Sequence, residues 1–545
     1  MTTYSALAPA ATRPAAPPLT ILQKVLLLLG AVLFDGLFWE QRAALNMLLF
    51  TLFVVAAVLA GLPRHAPQWR SGYFWLTLGG TALSALMVAV YGSSAALLAC
   101  WASLTAWLGY VNQPKLKLVG FALLTGLGNV WNAADRLLQL VRVPHNLSGQ
   151  MSRSRYYGRL LLLPLGALLL FHFLFVLANP RYAAFTGRLL TLLGNILTRI
   201  FAHLSVPHLL FMLLGLLLTA GALLILPLHF FTDQESAFGE FVRRQRDRVA
   251  SFAVPRPDFR TQTFRVLDLR KEYQIALAML ALVNLLLLVV NAIDIRWLWF
   301  GFVPAPGFDL TQFVHEGTYV LILSILVAMA IVLRFFRRNL NFYQAGLPAL
   351  RWAATIWIVQ NMVLAGSVGL RNYYYIVHTG LAYKRIGVYG FLLLTLFGLI
   401  TILLKIWQQR SAYSLVRLNT LAAYAVMLLF AVGNWEAWMV RYNLQPRFRQ
   451  VDYGFLLDMP DRILPQLAAR EASLTGRALN RDNGYGRWET LPLGEARYHL
   501  HARIRAFQAQ QGRRSWLSYT WADYQAARYF DAHPATDVRY AAVCH

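Results

Sequence analysis

VPHLLFMLLGLLLTAGALLILPL, Val206 to Leu228, runs for 23 residues without an aspartate, glutamate, lysine or arginine. At 1.5 Å per residue, about 20 apolar residues in a helix match the ~30 Å thickness of a bilayer's hydrocarbon. A second stretch, GRLLLLPLGALLLFHFLFVLAN from Gly158, has the same character. The whole chain of 545 residues is 58% hydrophobic and 14% charged, with a mean hydropathy of +0.48. Soluble domains carry about 25% charged residues, so this surface is not mainly turned to water. Long apolar blocks exclude a transmembrane barrel, whose strands are short and alternating. The fold class expected is all-α: a polytopic transmembrane helical bundle.

Blocks of this kind recur about eleven times, near 21–39, 43–62, 73–91, 94–112, 158–179, 206–228, 273–294, 315–335, 352–371, 386–407 and 415–434. Two further segments, 117–133 and 183–203, carry polar residues at helical spacing, Thr125, Asn129 and Asn132 in one and Arg188, Asn195 and Arg199 in the other. They read as amphipathic helices lying along the interface, though either one, if it spans, reverses the side of every later loop. Basic residues set the orientation. With the N-terminus inside, the inner loops hold Lys115 to Arg159, the RRQRDR block from Arg243, and Lys405, Arg410 and Arg417. Eleven spans then place the C-terminus outside the cytoplasm. Residues 1–19 read as a disordered tail without a cleavable signal, 20–436 as the membrane domain, and 437–545 as a small extracytoplasmic helical domain, with RDNGYGR from Arg481 as a breaker between its helices. No internal repeat is visible.

The net charge of +26 is explained by loops on one side of a bilayer, so nucleic acid is not an expected partner. The expected partners are the bilayer itself and anionic lipid headgroups at the inner basic loops; no protein partner is named by the sequence. Two cysteines, Cys100 and Cys544, rule out a disulfide framework or a thiolate zinc site. Phosphate-cradling loops, dinucleotide fingerprints, HExxH, CxxC and GxSxG elbows are all missing. Neither a metal nor a cofactor is expected.

What remains is charge near span ends. An ionisable residue at membrane depth is costly and is a site candidate by default. In the topology above, Asp35 in LFDGLFWEQR, Asp294 and Arg296, His315 and Glu316, Arg371, and Glu436 with Arg441 all reach one outer face. The stretch RNYYYIVHTGLAYKRI, Arg371 to Ile386, adds Tyr375, His378 and Arg385. Asp35, Glu316, Arg371, Tyr375, His378 and Arg385 are therefore the candidate lining of an outward-facing polar site, with Asp35 or Glu316 paired to Arg371. The bland alternative is interfacial placement: cations there snorkel to water, and tyrosines favour headgroup depth.

Four segments carry a family resemblance: FDGLFWEQRAALNMLLF, FVHEGTYVLIL, RNYYYIVHTGLAYKRI, and WEAWMVRYNL followed by VDYGFLLDMPDRILPQL. In this order, from about Phe34 to Leu467, the chain resembles the bacterial membrane proteins of domain of unknown function 4173. Departures are His315 where that family has arginine, Ala382 in place of threonine, and Gly454-Phe455-Leu456 near the end. The resemblance implies a bacterial inner membrane and no particular activity. Two functions stay open. One is a non-enzymatic sensor, assembly or transporter-like component; no matched pair of broken helices marks a midplane site. The other is an enzyme acting at the outer face on a lipid-linked diphosphate, with an acid such as Asp35 as base or metal ligand and Arg371 and Arg385 as clamp.

Overall fold

The computed structural model describes residues 19–141, 180–200, 205–225, 229–242, 259–300, 310–336, 339–482 and 488–533, with single positions at 302 and among 164–179. Side chains at 139–141, 180, 193–200, 259–269, 310–319, 482 and 488 are also outside the description. The architecture is an all-α polytopic bundle. Among the described residues eight helices are long and apolar enough to cross a membrane, and two shorter apolar helices, Leu45–Gly61 and Val320–Phe335, accompany them. The expected count of eleven is not confirmed among the described residues, and the expected span at 158–179 lies almost wholly outside them. The chain divides into two bodies: Met1–Glu40, Leu52–Ala66 and Leu127–Leu226, and Gln41–Thr51, Pro67–Gly126 and Pro227–His545.

In the first body α1 (Ile21–Phe38) opens with a capping box between Thr20 and Gln23. The helix α2 (Leu45–Gly61) contributes its later turns. Helices in lipid gain little from hydrophobicity alone, so small residues bring their backbones together. Gly30 of α1 leaves no room for a side chain against Thr219 and Phe53. The quoted apolar run becomes α7 (Val206–Leu223), started by Ser205 with a proline in its first turn. Both ambiguous segments are helical: α5 (Val119–Val141) and α6 (Pro180–Ile200). Of the polar stripe of α5, Thr125 and Asn129 are turned inward and Asn132 is half-buried. Thr125, Asn129 and Arg136 are buried while Leu127, Trp131 and Leu138 are exposed. Asn129 explains why: its amide donates to the carbonyls of Gly221 (2.6 Å) and Leu224 (2.8 Å), which end α7 without helical partners.

The second body begins with a tight hairpin, α3 (Gly72–Tyr91) and α4 (Ser94–Asn112). The small helix α8 (Phe230–Ser236) is followed by α9 (Phe259–Asp294), α10 (Leu310–Phe335), α11 (Leu347–Thr379), α12 (Tyr383–Gln408) and α13 (Ala412–Val432). A ladder of interhelical hydrogen bonds joins α9 to α11. Asn284 donates to the Ala353 carbonyl (2.9 Å) and Asn291 to the Gln360 carbonyl (3.0 Å), both at a chain offset of 69 residues. Gln360 returns a bond to Asn284 Oδ1 at 2.9 Å. A constant offset means that the two helices run parallel, with α10 running back between them in sequence. Higher up, Arg371 Nη2 meets Asp294 Oδ1 at 2.7 Å, Trp299 donates to Ser367 (3.0 Å) and Tyr374 to the Leu298 carbonyl (3.2 Å).

At the opposite end of the bundle the α12–α13 turn places Gln409 at φ +51°. It is held by Val242 N–H to the Gln409 carbonyl and Ser411 N–H to the Glu240 carbonyl, each at 2.9 Å. Glu240 also grips Arg417. Glu235 accepts from the Lys117 and Leu118 amides (3.1 and 3.0 Å) and from the Tyr413 hydroxyl (2.5 Å). A carboxylate on free amides at a helix start is favourable, and α5 begins at Val119.

Beyond α13, helix α14 (Trp435–Asn443) leads to β1 (Gln450–Asp452), α15 (Tyr453–Leu457), α16 (Leu464–Ala468), β2 (Ala478–Asp482), β3 (Trp488–Thr490), α17 (Leu493–Gln511) and α18 (Trp521–Ala532). The strands form one sheet, β1 parallel to β2 and β2 antiparallel to β3. Expected as a breaker between helices, RDNGYGR instead joins two strands, its residues 483–487 lying outside the description. The hydrophobic core of this module holds Tyr453, Leu456, Leu464, Leu500 and Phe507 together with Ile376, Leu381 and Ile386 from the α11–α12 turn. Burial, reinforced by nearby Glu471, pushes the ionisation of the Tyr453 phenol up. This cluster takes in residues on both sides of position 437.

The Asp294 and Arg371 side chains are 6% and 11% exposed. Removing one partner of such a buried pair costs about 3–5 kcal/mol. Arg371→Met should lower the thermal midpoint of the detergent-purified chain sharply, and Asp294→Leu/Arg371→Met should recover most of the loss. A single variant as stable as the parent would show that the pair is not a structural bond.

Candidate functional site

Helix α11 has 33 residues, about 50 Å at the helical rise against ~30 Å of hydrocarbon, and the chain reverses after its last turns. These turns hold Arg371 to Thr379, and the reversal into α12 is made by three residues, Gly380 to Ala382. Gly380 sits at φ +90°, a region that L side chains avoid. A side chain there would also meet Asn443 Oδ1 at 2.7 Å. Asn443, at the end of α14, clamps the next peptide on both sides, accepting from Leu381 N–H (2.5 Å) and donating to Leu381 C=O (2.8 Å). The turn is thereby locked to the C-terminal module.

The sequence candidates sit as follows. Arg371 is held by Asp294. Tyr375 and Arg385 stack, the guanidinium 4.2 Å over the ring, and Arg385 donates to the Gly380 carbonyl. This cation–π contact braces the turn. His378 is exposed and bonds the Tyr374 carbonyl at 2.8 Å. Glu316 lies in α10, its side chain outside the described residues. Asp35, in the first body, accepts from His208 Nε2 at 2.7 Å, and the His208 ring stacks on Trp39 with centroids 4.1 Å apart.

A cavity of about 700 Å³ opens beside this turn, within the size range of small-molecule sites. Four connections line it. The first is Arg42–Ala43, positioned by Asn46, whose amide donates to the Arg42 carbonyl at 2.9 Å. The second is Tyr91–Ala95, where Gly92 ends α3 at φ +59° and Ser93 caps α4. The third is Tyr383 to Gly387 at the start of α12, and the fourth Phe430 to Glu436. The C-terminal module closes the remaining wall with Asp458 to Arg462, Arg503, Ser518, Thr520 and Asp523.

Its centre of charge is Glu436, 5% exposed, in the first turn of α14 where a carboxylate suits the helix dipole. Tyr383 donates to Glu436 Oε1 at 3.0 Å. Arg462 Nη2 lies 2.6 Å from the same oxygen, an ion pair whose angle does not make it a hydrogen bond. Arg462 Nη1 donates to the Tyr91 carbonyl at 2.6 Å. Glu436 Oε2 and Arg462 Nε keep no hydrogen-bond partner, which is costly in a buried site. Arg503 pairs with Asp461 at 2.9 Å. Asp458, Asp523 and Arg42 line the wall with no ion pair among the described residues. Three arginines face four acids, a net charge of −1. No group of three or more histidine, cysteine, aspartate or glutamate side chains able to hold a metal occurs among the described residues.

Sequence reasoning named Glu436 as an outer charge but missed Tyr383, Arg462, Arg503 and the acids of the C-terminal module. The segment LDMPDRIL, from Leu457, carries three of them, and its density of charge after an apolar run was the available signal.

Gly380→Ala tests the lock between turn and module. A left-handed non-glycine residue and the contact with Asn443 together should cost at least about 1 kcal/mol, read as a lower thermal midpoint in detergent. An unchanged midpoint would show that the turn relaxes freely and does not anchor the cavity wall.

No curated protein and no solved structure matches the chain. A family does, over residues 25–469, which takes in the membrane helices and the first part of the C-terminal module. This match overturns the resemblance to domain of unknown function 4173. The fragments behind that resemblance have local causes: Arg371 and Tyr375 are one helical turn apart, and Gly380 is demanded by the reversal, as in many helical hairpins. With four-fifths of its length matched, the chain belongs to the family described as Domain of unknown function (DUF4153).

Proposed function

We propose that this chain is a multi-pass protein of a bacterial inner membrane, N-terminus in the cytoplasm and C-terminus outside, that holds a polar ligand in the 700 Å³ cavity. It acts there as a sensor, assembly or transporter-like component. The observation that carries this reading is Glu436 with Arg462: a buried pair on the cavity wall that keeps a carboxylate oxygen and a guanidinium nitrogen without hydrogen-bond partners. A ligand group satisfying both would recover the cost of leaving them bare. Supporting the outward placement, the four connections on the wall, at 42, 91–95, 383–387 and 430–436, are all ones that positive-inside counting assigns to the outer side. The basic residues Lys117, Arg410 and Arg417 gather with Glu235 and Glu240 at the other end. The enzyme reading needs Arg371 and Arg385 free to clamp a diphosphate, but Arg371 is paired with Asp294 and Arg385 is engaged in the turn's own contacts.

Ser94, exposed on the wall, provides the test. In a Cys544→Ser background, Ser94→Cys should react with a membrane-impermeant maleimide in intact spheroplasts, and a periplasm-active phosphatase fused after His545 should be active. Labelling that requires lysis, or a silent fusion, would place the cavity on the cytoplasmic side and sink the outward reading. Native Cys100 is buried and adds no background.

A further inference from the structure

Beside the polar cavity lies a second space of about 400 Å³ between α11, α12, α13 and α14, with almost entirely apolar walls. Ile386, Phe430 and Trp435 belong to the walls of both. The groove is continued by Tyr373, Leu393, Leu429 and Trp438, each about half exposed. Trp435 has its indole N–H satisfied by the Phe430 carbonyl at 2.8 Å, so its ring meets the groove as an apolar face. A polar cavity and an apolar groove sharing three side chains make one site with two solvents.

Resting on the proposed ligand-binding role, we propose that the joint site takes a single aminophospholipid. Its hydrocarbon chain lies in the aromatic groove and its phosphoethanolamine head in the cavity. Charge selects the head. Asp458 and Asp523 stand on the wall without cationic partners among the described residues, and Glu436 Oε2 accepts from nothing. An ammonium with three N–H donors meets acceptors of this kind. Arg42, outside any ion pair among the described residues, suits the phosphodiester. A net charge of −1 works against a purely anionic lipid, and a quaternary amine would leave the acceptors without donors.

The test uses the full chain in a mild neutral detergent, with thermal midpoint and native mass spectrometry as readouts. Lysophosphatidylethanolamine should bind and raise the midpoint, whereas lysophosphatidylglycerol and lysophosphatidylcholine should bind at least about tenfold more weakly, as expected when charged and hydrogen-bonded complementarity is lost. Asp458→Asn/Asp523→Asn should weaken lysophosphatidylethanolamine to a similar degree while lowering the ligand-free midpoint only slightly, since neither residue is buried and Asp523 gives up only its charge in the first turn of α18. Trp438→Ala, an exposed position, should weaken all three lysolipids together. Equal binding of the three lysolipids would overturn the headgroup assignment. Glycerophosphoethanolamine, the head without a chain, binding as tightly as the lysolipid would overturn the groove while leaving the polar cavity as a ligand site. Absence of binding by every probe, with the ligand-free chain folded, would remove this proposal.

Discussion

Hydrocarbon offers a polar side chain no hydrogen-bond partner, and the second body is organised around that constraint. Asn284, Asn291 and Asp294 on α9 would each be costly in lipid. Gln360, Arg371 and carbonyls of α11 supply what the solvent does not. Individual bonds of this type contribute about 0.6 kcal/mol on average, too little to hold helices by strength alone. Their value is register. A partner displaced by one turn leaves several buried groups bare at once, so the ladder selects one parallel alignment out of many that are equally apolar. The same logic appears in the first body, where Asn129 satisfies the end of α7.

Once α9 and α11 are in register, the upper end of α11 has a defined height and direction, and the reversal at Gly380 follows. Asn443 and the shared core at Ile376, Leu381 and Ile386 then tie that reversal to the C-terminal module. The module is not an appendage on a linker. Its docking turns a set of short connections into walls, with Arg462 reaching the Tyr91 carbonyl across a chain separation of 371 residues. The price of that construction is a buried carboxylate and guanidinium with open valences, and such unsatisfied groups are where a ligand gains most.

Much of the fold was legible in composition. Helix positions emerged because a lipid environment demands about 20 apolar residues in a row, a signal that needs no knowledge of neighbours. Less was legible where contact decides. The hairpin at RDNGYGR was read as a breaker between helices although Asn-Gly between short polar strands is also a hairpin signal; with the strands only five and three residues long, alternation was too brief to register. The stripe on α5 was legible as amphipathic, but amphipathicity alone does not tell which face meets protein. Among the site candidates, Arg371 and Asp294 were both noticed at span ends, and their union depends on the parallel register of two helices 77 residues apart. Order of short motifs suggested one family where the matched family is another, because Arg, Tyr and Gly at a helical hairpin recur wherever the geometry does.

By itself the sequence determined that this chain is an all-α polytopic bundle of long apolar helices. Hydropathy and charge act through the surrounding solvent, residue by residue, and that action is local. Tertiary structure alone decided that Tyr383, Glu436 and Arg462 meet, that the α11–α12 turn shares a core with the last hundred residues, and that a polar cavity adjoins an apolar groove. Those are long-range juxtapositions, and hydrogen bonds and packing between segments hundreds of residues apart leave no period or composition in the chain for a reader to find.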